Sequence, residues 1–276
     1  MDLTLGFSTC PNDTFIFDAL VNKRIDTEGH QFKLHLADVE ELNHLALTSE
    51  LHISKVSYHA FAYLSSVYRL LTAGSALGFG NGPLLISKHK IYPDELNGLK
   101  IAIPGKFTTA NLLLSIAFPN LQYKKEYLFS DIEEVILSGE ADAGVIIHES
   151  RFTYALKGLK KIQDLGEYWE TLTRLPIPLG GIVIKRDLPV AIQKSVNRVL
   201  RRSVEYALQN PIDSLPFVRK HAQSMDESVM RNHIQLYVND FSVDLGTVGR
   251  EAITTLYNKG VEKSIFPALQ SSYFVE

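Results

Sequence analysis

The sequence predicts an α/β fold of two lobes with a cleft between them. Three observations carry this reading. Strand-like apolar runs alternate with runs at helix spacing from the first residues onward. A fresh run of the same kind opens at Leu99-Lys100-Ile101-Ala102-Ile103, directly after the turn signal Asn97-Gly98. The stretch Ala141-Asp142-Ala143-Gly144-Val145-Ile146-Ile147-His148-Glu149-Ser150-Arg151 then runs a core-type strand straight into a polar cluster.

Each element follows in order. Leu3 to Phe7 reads as a strand, Ser8-Thr9-Cys10-Pro11-Asn12-Asp13 as a turn, and Phe15, Ile16, Ala19 and Leu20 as the buried face of a helix capped by Asn12 or Asp13. Phe32-Leu34-Leu36 alternates with polar residues as a half-buried strand, and Leu42, Leu45 and Ala46 suit a helix. Leu51 to Tyr58 is a strand passing into a helix start. Leu70 to Gly74 precedes the glycine-rich Gly78-Phe79-Gly80-Asn81-Gly82, and Pro83 to Ser87 is another strand. Thr108 or Thr109 caps a helix carrying Leu112, Leu113 and Ile116, and Ile132, Val135 and Ile136 mark the helix before the strand that ends at His148. Leu179 to Ile184 is a strand. Beyond Leu188 the pattern is helical, with Leu188, Ile192, Val196, Val199 and Leu200 on one face and further helices near 213–221, 226–237 and 247–258. The economical assembly gives residues 1–88 and 178–276 to lobe I and 89–177 to lobe II, with crossings near 87–92 and 175–179.

Composition narrows the function. Twenty-eight Lys and Arg against 31 Asp and Glu leave a net charge of −3, too even a balance to recruit nucleic acid or anionic lipid, while a few local charges can still hold a small anion. One cysteine excludes an internal disulfide and any zinc site built on several thiolates. No His-Glu-x-x-His pattern accompanies the scattered histidines, so a metal site is not expected. No run approaches a membrane span, and Met1-Asp2 leads directly into a strand without a basic stretch and apolar signal core, so the expected location is the cytoplasm. A monomer and a homodimer are both compatible with the chain.

His148 is the leading catalytic candidate. An α/β sheet binds ligands outside the carboxyl ends of its strands, and imidazole exchanges a proton near neutral pH. The alternative is a histidine that caps or bridges the lobes; Glu149 either orients it or is solvated. Lys55 and Ser57, at another strand-to-helix junction, offer a cation and a hydroxyl to a carboxylate, against the reading of a surface lysine beside an ordinary serine cap. Thr108 and Thr109 make the same offer from the other lobe. Asn12 and Asp13 cap their helix and touch ligand, and Cys10 packs or lines the pocket in preference to acting as a nucleophile. The segment Gly78 to Gly82 lacks the lysine and Ser/Thr of a phosphate loop and precedes a strand, so it reads as a bend between lobes. Trp169 reads as a core anchor rather than a lid.

Together, Gly6-Phe7-Ser8-Thr9-Cys10-Pro11-Asn12-Asp13-Thr14-Phe15, Ser54-Lys55-Val56-Ser57-Tyr58, Pro104-Gly105-Lys106-Phe107-Thr108-Thr109 and Ile146-Ile147-His148-Glu149-Ser150-Arg151-Phe152-Thr153-Tyr154 resemble the 1,4-dihydroxy-6-naphthoate synthase family of the futalosine route to menaquinone. Leu165-Gly166, Pro176-Ile177-Pro178-Leu179-Gly180 and Tyr237-Val238-Asn239 extend the resemblance over nearly the full length. It implies a type 2 periplasmic-binding-protein-like fold serving as a cytoplasmic lyase without metal or redox cofactor. The implied substrate is cyclic dehypoxanthinyl futalosine, a small anionic cyclic molecule, and the implied products are 1,4-dihydroxy-6-naphthoate and dihydroxyacetone. His148 matches the proton acceptor, while Lys55, Val56, Ser57, Thr108 and Thr109 match substrate-contacting segments. Chorismate dehydratase, a neighbouring enzyme of the same fold, and a non-enzymatic small-molecule-binding protein are the alternatives.

Overall fold

The computed structural model describes residues 1–148, 150–222, 226–270 and 272–276. Its first lobe opens with β1 (Asp2–Phe7), α1 (Pro11–Val21), β2 (Gln31–Leu36), α2 (Val39–Leu47), β3 (Ile53–Ser57), α3 (Tyr58–Leu64), β4 (Tyr68–Leu70) and β5 (Ala76–Gly78). The chain then crosses into β6 (Leu84–Ser87), β7 (Ile101–Ile103), α4 (Thr109–Ala117), β8 (Lys124–Glu126), α5 (Ile132–Ser138), β9 (Ala143–Ile146), α6 (Ser150–Thr153), β10 (Lys160–Asp164) and α7 (Leu165–Thr173). It returns through β11 (Ile177–Lys185) and finishes with α8 (Val190–Gln209), α9 (Pro211–His221), α10 (Glu227–Tyr237), α11 (Asp240–Val243) and α12 (Gly246–Glu262).

Two sheets result. The first runs β2-β1-β3-β11-β4, with β5 also paired to β11; the second runs β10-β6-β9-β7-β8. The parallel pairs β1/β2, β1/β3, β7/β8 and β7/β9 keep their carboxyl ends on one side, where helices start. Sheet membership moves the first crossing. β6, assigned to lobe I by a boundary at residue 88, pairs antiparallel with β9 and β10, so the chain crosses at 79–83. The return lies between α7 and β11.

The core explains why these segments stay in place. Leu3, Leu5 and Phe7 point from β1 onto α1 and α8, where Phe7 stacks on Phe17 with ring centroids 4.5 Å apart. A second cluster joins the lobes, packing Val56 and Tyr58 of lobe I with Leu112, Leu113 and Trp169 of lobe II. Trp169 is fully buried and its Nε1 donates to the Pro176 carbonyl at 3.1 Å, which gives it the anchoring role expected of it. Thr108 caps α4, its hydroxyl accepting from the Asn111 N–H at 3.3 Å. α1 departs from expectation: its N-cap is Cys10, because Pro11 takes the first helical position, where a missing N–H costs nothing. Asn12 and Asp13 are thereby released from capping and turn inward.

Candidate active site

Four strands end at one cleft. Ser8, Asn12 and Asp13 follow β1, Lys55 and Ser57 close β3, Thr108 and Thr109 follow β7, and Ile147 and His148 follow β9. The cleft encloses about 650 Å³, part of it open to solvent. All the expected site residues line it except Val56, whose side chain is buried in the core shared by the two lobes.

Asp13 is the polar hub of the lobe I wall. Its Oδ1 accepts from Lys55 Nζ and from Asn12 Nδ2, each at 2.9 Å, and its Oδ2 accepts from the Ser8 hydroxyl at 2.7 Å and the Ser8 N–H at 3.3 Å. The ion pair is almost wholly withdrawn from water, its side chains 6% and 3% exposed. Lys55 thus lines the cleft with its charge already engaged by a protein carboxylate.

A hydrogen-bond chain leads from this hub to a histidine the sequence reading passed over. Because Asn12 gives its Nδ2 hydrogen to Asp13, its Oδ1 must be the atom 2.9 Å from His233 Nε2, so that nitrogen carries the proton. His233 Nδ1 is left as a buried acceptor without a hydrogen-bond partner among the described residues. Burial, with His148 nearby as a lesser cause, holds the His233 pKa well below its ordinary value, so the ring stays neutral.

His148 is walled by side chains from both lobes. Its ring lies parallel to that of His233, with centroids 6.0 Å apart, and meets Phe129 edge-on at 4.8 Å. Across the cleft, Cys10 Sγ lies 3.5 Å from Nδ1 and 3.9 Å from Nε2. The backbone of His148 is left-handed, with φ of 57°, a conformation that costs a non-glycine residue about 1–2 kcal/mol and that concentrates at functional sites. Glu149, the neighbour expected to orient the ring or to be solvated, lies outside the described residues.

The hydroxyls are not equivalent. Thr108 donates to the Gly105 carbonyl at 2.8 Å and Thr109 to the Leu179 carbonyl at 2.5 Å, so both donors are spent within the protein. Ser57 Oγ accepts from Asn43 Nδ2 at 3.2 Å, which leaves its own proton available. The Thr109 and Ala110 N–H groups, in the first turn of α4, cannot be reached by any carbonyl of that helix and border the cleft. The hydrogen-bond donors left free to meet a ligand are therefore main-chain groups and Ser57 more than the threonine hydroxyls.

Ser8, Asn81, His233 and Tyr237 line the cleft without having been singled out as ligand contacts from sequence. His233 and Tyr237 share one turn-spaced face of α10 with buried Met230, and a histidine on such a face was the available signal. Asn81 is 1% exposed, and neither its Nδ2 nor its Oδ1 has a partner among the described residues. Such a group costs about 1–3 kcal/mol unless something bonds it. Among the described residues no group of three or more His, Cys, Asp or Glu is placed to hold a metal ion, and no helix is long and apolar enough to cross a membrane.

Comparison with known proteins assigns this chain to a family. A family model described as menaquinone biosynthesis matches residues 3–262. The chain is 43% identical over 255 residues to the 1,4-dihydroxy-6-naphthoate synthase of Thermus thermophilus, covering 92% of each chain. It is 39% identical to the synthase of that name from Streptomyces coelicolor, over 97% of this chain and 95% of the relative. A crystal structure of an Archaeoglobus fulgidus protein superposes with a TM-score of 0.91 at 34% identity, covering 96% of this chain and 98% of that one. The alkanesulfonate-binding protein of Xanthomonas axonopodis shares the fold, with a TM-score of 0.71 at 11% identity over 97% of this chain and 96% of its own. The architecture is thus the two-lobed, periplasmic-binding-protein-like fold, and the chain belongs to the menaquinone biosynthesis family.

Proposed function

We propose that this enzyme acts in the cytoplasm as a carbon–carbon lyase that converts cyclic dehypoxanthinyl futalosine into 1,4-dihydroxy-6-naphthoate and dihydroxyacetone, with His148 as the base that starts the reaction. The observation that carries the proposal is the placement of the His148 ring in the cleft that also gathers Asn12, Asp13, Lys55, Ser57, Thr108 and Thr109. In this reading the ring accepts a proton from the bound spirocycle, the carbon–carbon bond breaks, and aromatisation of the bicyclic remainder supplies the thermodynamic drive. The protein lowers the barrier by fixing the reacting atoms and by aiming the Thr109 and Ala110 N–H groups and the Ser57 hydroxyl at developing negative charge.

Cys10 orients the His148 ring in this scheme and forms no bond to substrate. Neutral His233 supports the same geometry. Its parallel ring fills the space behind His148 without adding a second positive charge when His148 takes up a proton.

Incubating the purified protein with cyclic dehypoxanthinyl futalosine and identifying products by mass tests the proposal. Release of 1,4-dihydroxy-6-naphthoate with dihydroxyacetone is the expected outcome. Dehydration of chorismate in a parallel incubation, with no turnover of the futalosine derivative, overturns it.

A further inference from the structure

The glycine-rich segment between β5 and β6 does more than bend the chain between lobes. Its main chain is clamped to α7: the Gly80 N–H donates to Glu170 Oε1 at 2.6 Å, and the Leu165 N–H donates to the Pro83 carbonyl at 3.0 Å. Gly82 lies against Gly166 so closely that a Cβ on Gly82 would fall 2.3 Å from the Gly166 Cα. Arg151 Nη1 also donates to the Gly82 carbonyl. Between these fixed points stands Asn81, and none of the clamps uses its side chain.

Among the described residues that side chain has nothing to bond. Asn81 borders the cleft, is 1% exposed, and has no partner among the described residues for either the nitrogen or the oxygen of its amide. Gly78 makes the room, since a Cβ there would lie 2.9 Å from Asn81 Nδ2 and 3.0 Å from Asn239 Nδ2. The two neighbouring amides differ in employment. Asn239 Nδ2 donates to the Leu77 carbonyl at 2.9 Å and caps α11, whereas Asn81 has no such task. A side chain needed only for packing would be more stable there as an apolar residue of the same shape.

We propose that Asn81 is a substrate-reading residue, donating through Nδ2 to, and accepting through Oδ1 from, hydroxyl groups of the ligand. A carboxylate or a carbonyl can only accept, and the main-chain N–H groups of α4 with Ser57 already serve that need. A hydroxyl uses both halves of an amide. The proposal rests on the function above and deepens it by assigning Asn81 to the polyhydroxylated, sugar-derived ring of the substrate, the part that departs as dihydroxyacetone.

Asn81→Leu and Asn81→Ala separate this from a structural role. For the leucine variant the expected results are a Tm at or above that of the parent protein and a KM for cyclic dehypoxanthinyl futalosine raised at least tenfold, with kcat lowered less than threefold. Calorimetric affinity for 1,4-dihydroxy-6-naphthoate, which lacks the sugar-derived ring, should stay within twofold. The alanine variant should repeat the rise in KM without the added bulk. A Tm several degrees lower with KM unchanged makes Asn81 a packing residue and overturns the proposal, as does equal weakening of product binding. Failure of the parent protein to turn over the substrate is instead a failure of the assigned reaction, and the Tm comparison still decides whether the amide is structurally idle.

Discussion

Lys55→Met isolates the energetic role of the buried ion pair. The substitution leaves the Asp13 carboxylate 3% exposed with the hydrogen bonds from Asn12 Nδ2, Ser8 Oγ and Ser8 N but without the ammonium that lay 2.9 Å away. Removing one partner of a buried pair costs about 3–5 kcal/mol. The three remaining donors place this case at the lower end, near ~3 kcal/mol. Unfolding entropy of about 2.1 cal/mol/K per residue gives a chain of 276 residues about 0.6 kcal/mol/K, so Tm should fall by about 5 °C. Adding Asp13→Asn removes the stranded charge and lets the Ser8 hydroxyl turn to accept, so the double variant should recover at least half of the loss. Thermal and denaturant unfolding of the parent, both single variants and the double variant complete the cycle, with an expected coupling of about 2 kcal/mol or more. A Lys55→Met protein whose Tm stays within a degree of the parent refutes the reasoning and frees Lys55 to hold a substrate carboxylate.

Other consequences can be measured alongside. Burial lowers the His59 pKa from 6.5 to about 4 while its Nδ1 hydrogen is given to the Thr108 carbonyl at 3.2 Å. Between pH 6.5 and 4 the unfolded chain therefore binds a proton that the folded chain refuses, so stability falls with pH, by about 2 kcal/mol at pH 5 from this group alone. In His59→Gln the loss between pH 7 and pH 5 should be correspondingly smaller, and an identical pH slope in both proteins contradicts the assignment. Cys10→Ala should keep at least a tenth of parental turnover if, as proposed, the Sγ 3.5 Å from His148 Nδ1 only positions the ring and forms no covalent intermediate. Turnover as low as that of a protein without the imidazole, or a substrate adduct trapped on Cys10 and seen by mass, would reverse that reading.

How far the sequence discloses the molecule depends on the range of the interaction. Strand-end placement is local: an apolar run followed by a turn and a helix start put His148, Lys55, Ser57, Thr108 and Thr109 at carboxyl ends, and the cleft brings them together. The Thr108 cap is equally local. Pairing is not, because Leu84-Leu85-Ile86-Ser87 is a fully buried run that would suit either sheet, and only its partners β9 and β10 place it in the second. Asn12 illustrates a further limit. The turn chemistry around it suggests a cap, but Pro11 occupies the first helical position and the Asn12 amide instead bonds His233, 221 residues away in sequence. Nothing near Asn81 in sequence reports that its amide has no partner among the described residues, since that depends on contacts such as the close approach of Gly82 to Gly166, 84 residues away.

The proposed reaction begins at the imidazole of His148, and single-turnover kinetics of His148→Asn with cyclic dehypoxanthinyl futalosine test that role most directly. Loss of a positioned base predicts a chemical step slower by about 10²–10⁴-fold, with Tm and substrate affinity held close to parental values. A variant that forms 1,4-dihydroxy-6-naphthoate within a few-fold of the parental rate contradicts the assignment of the base.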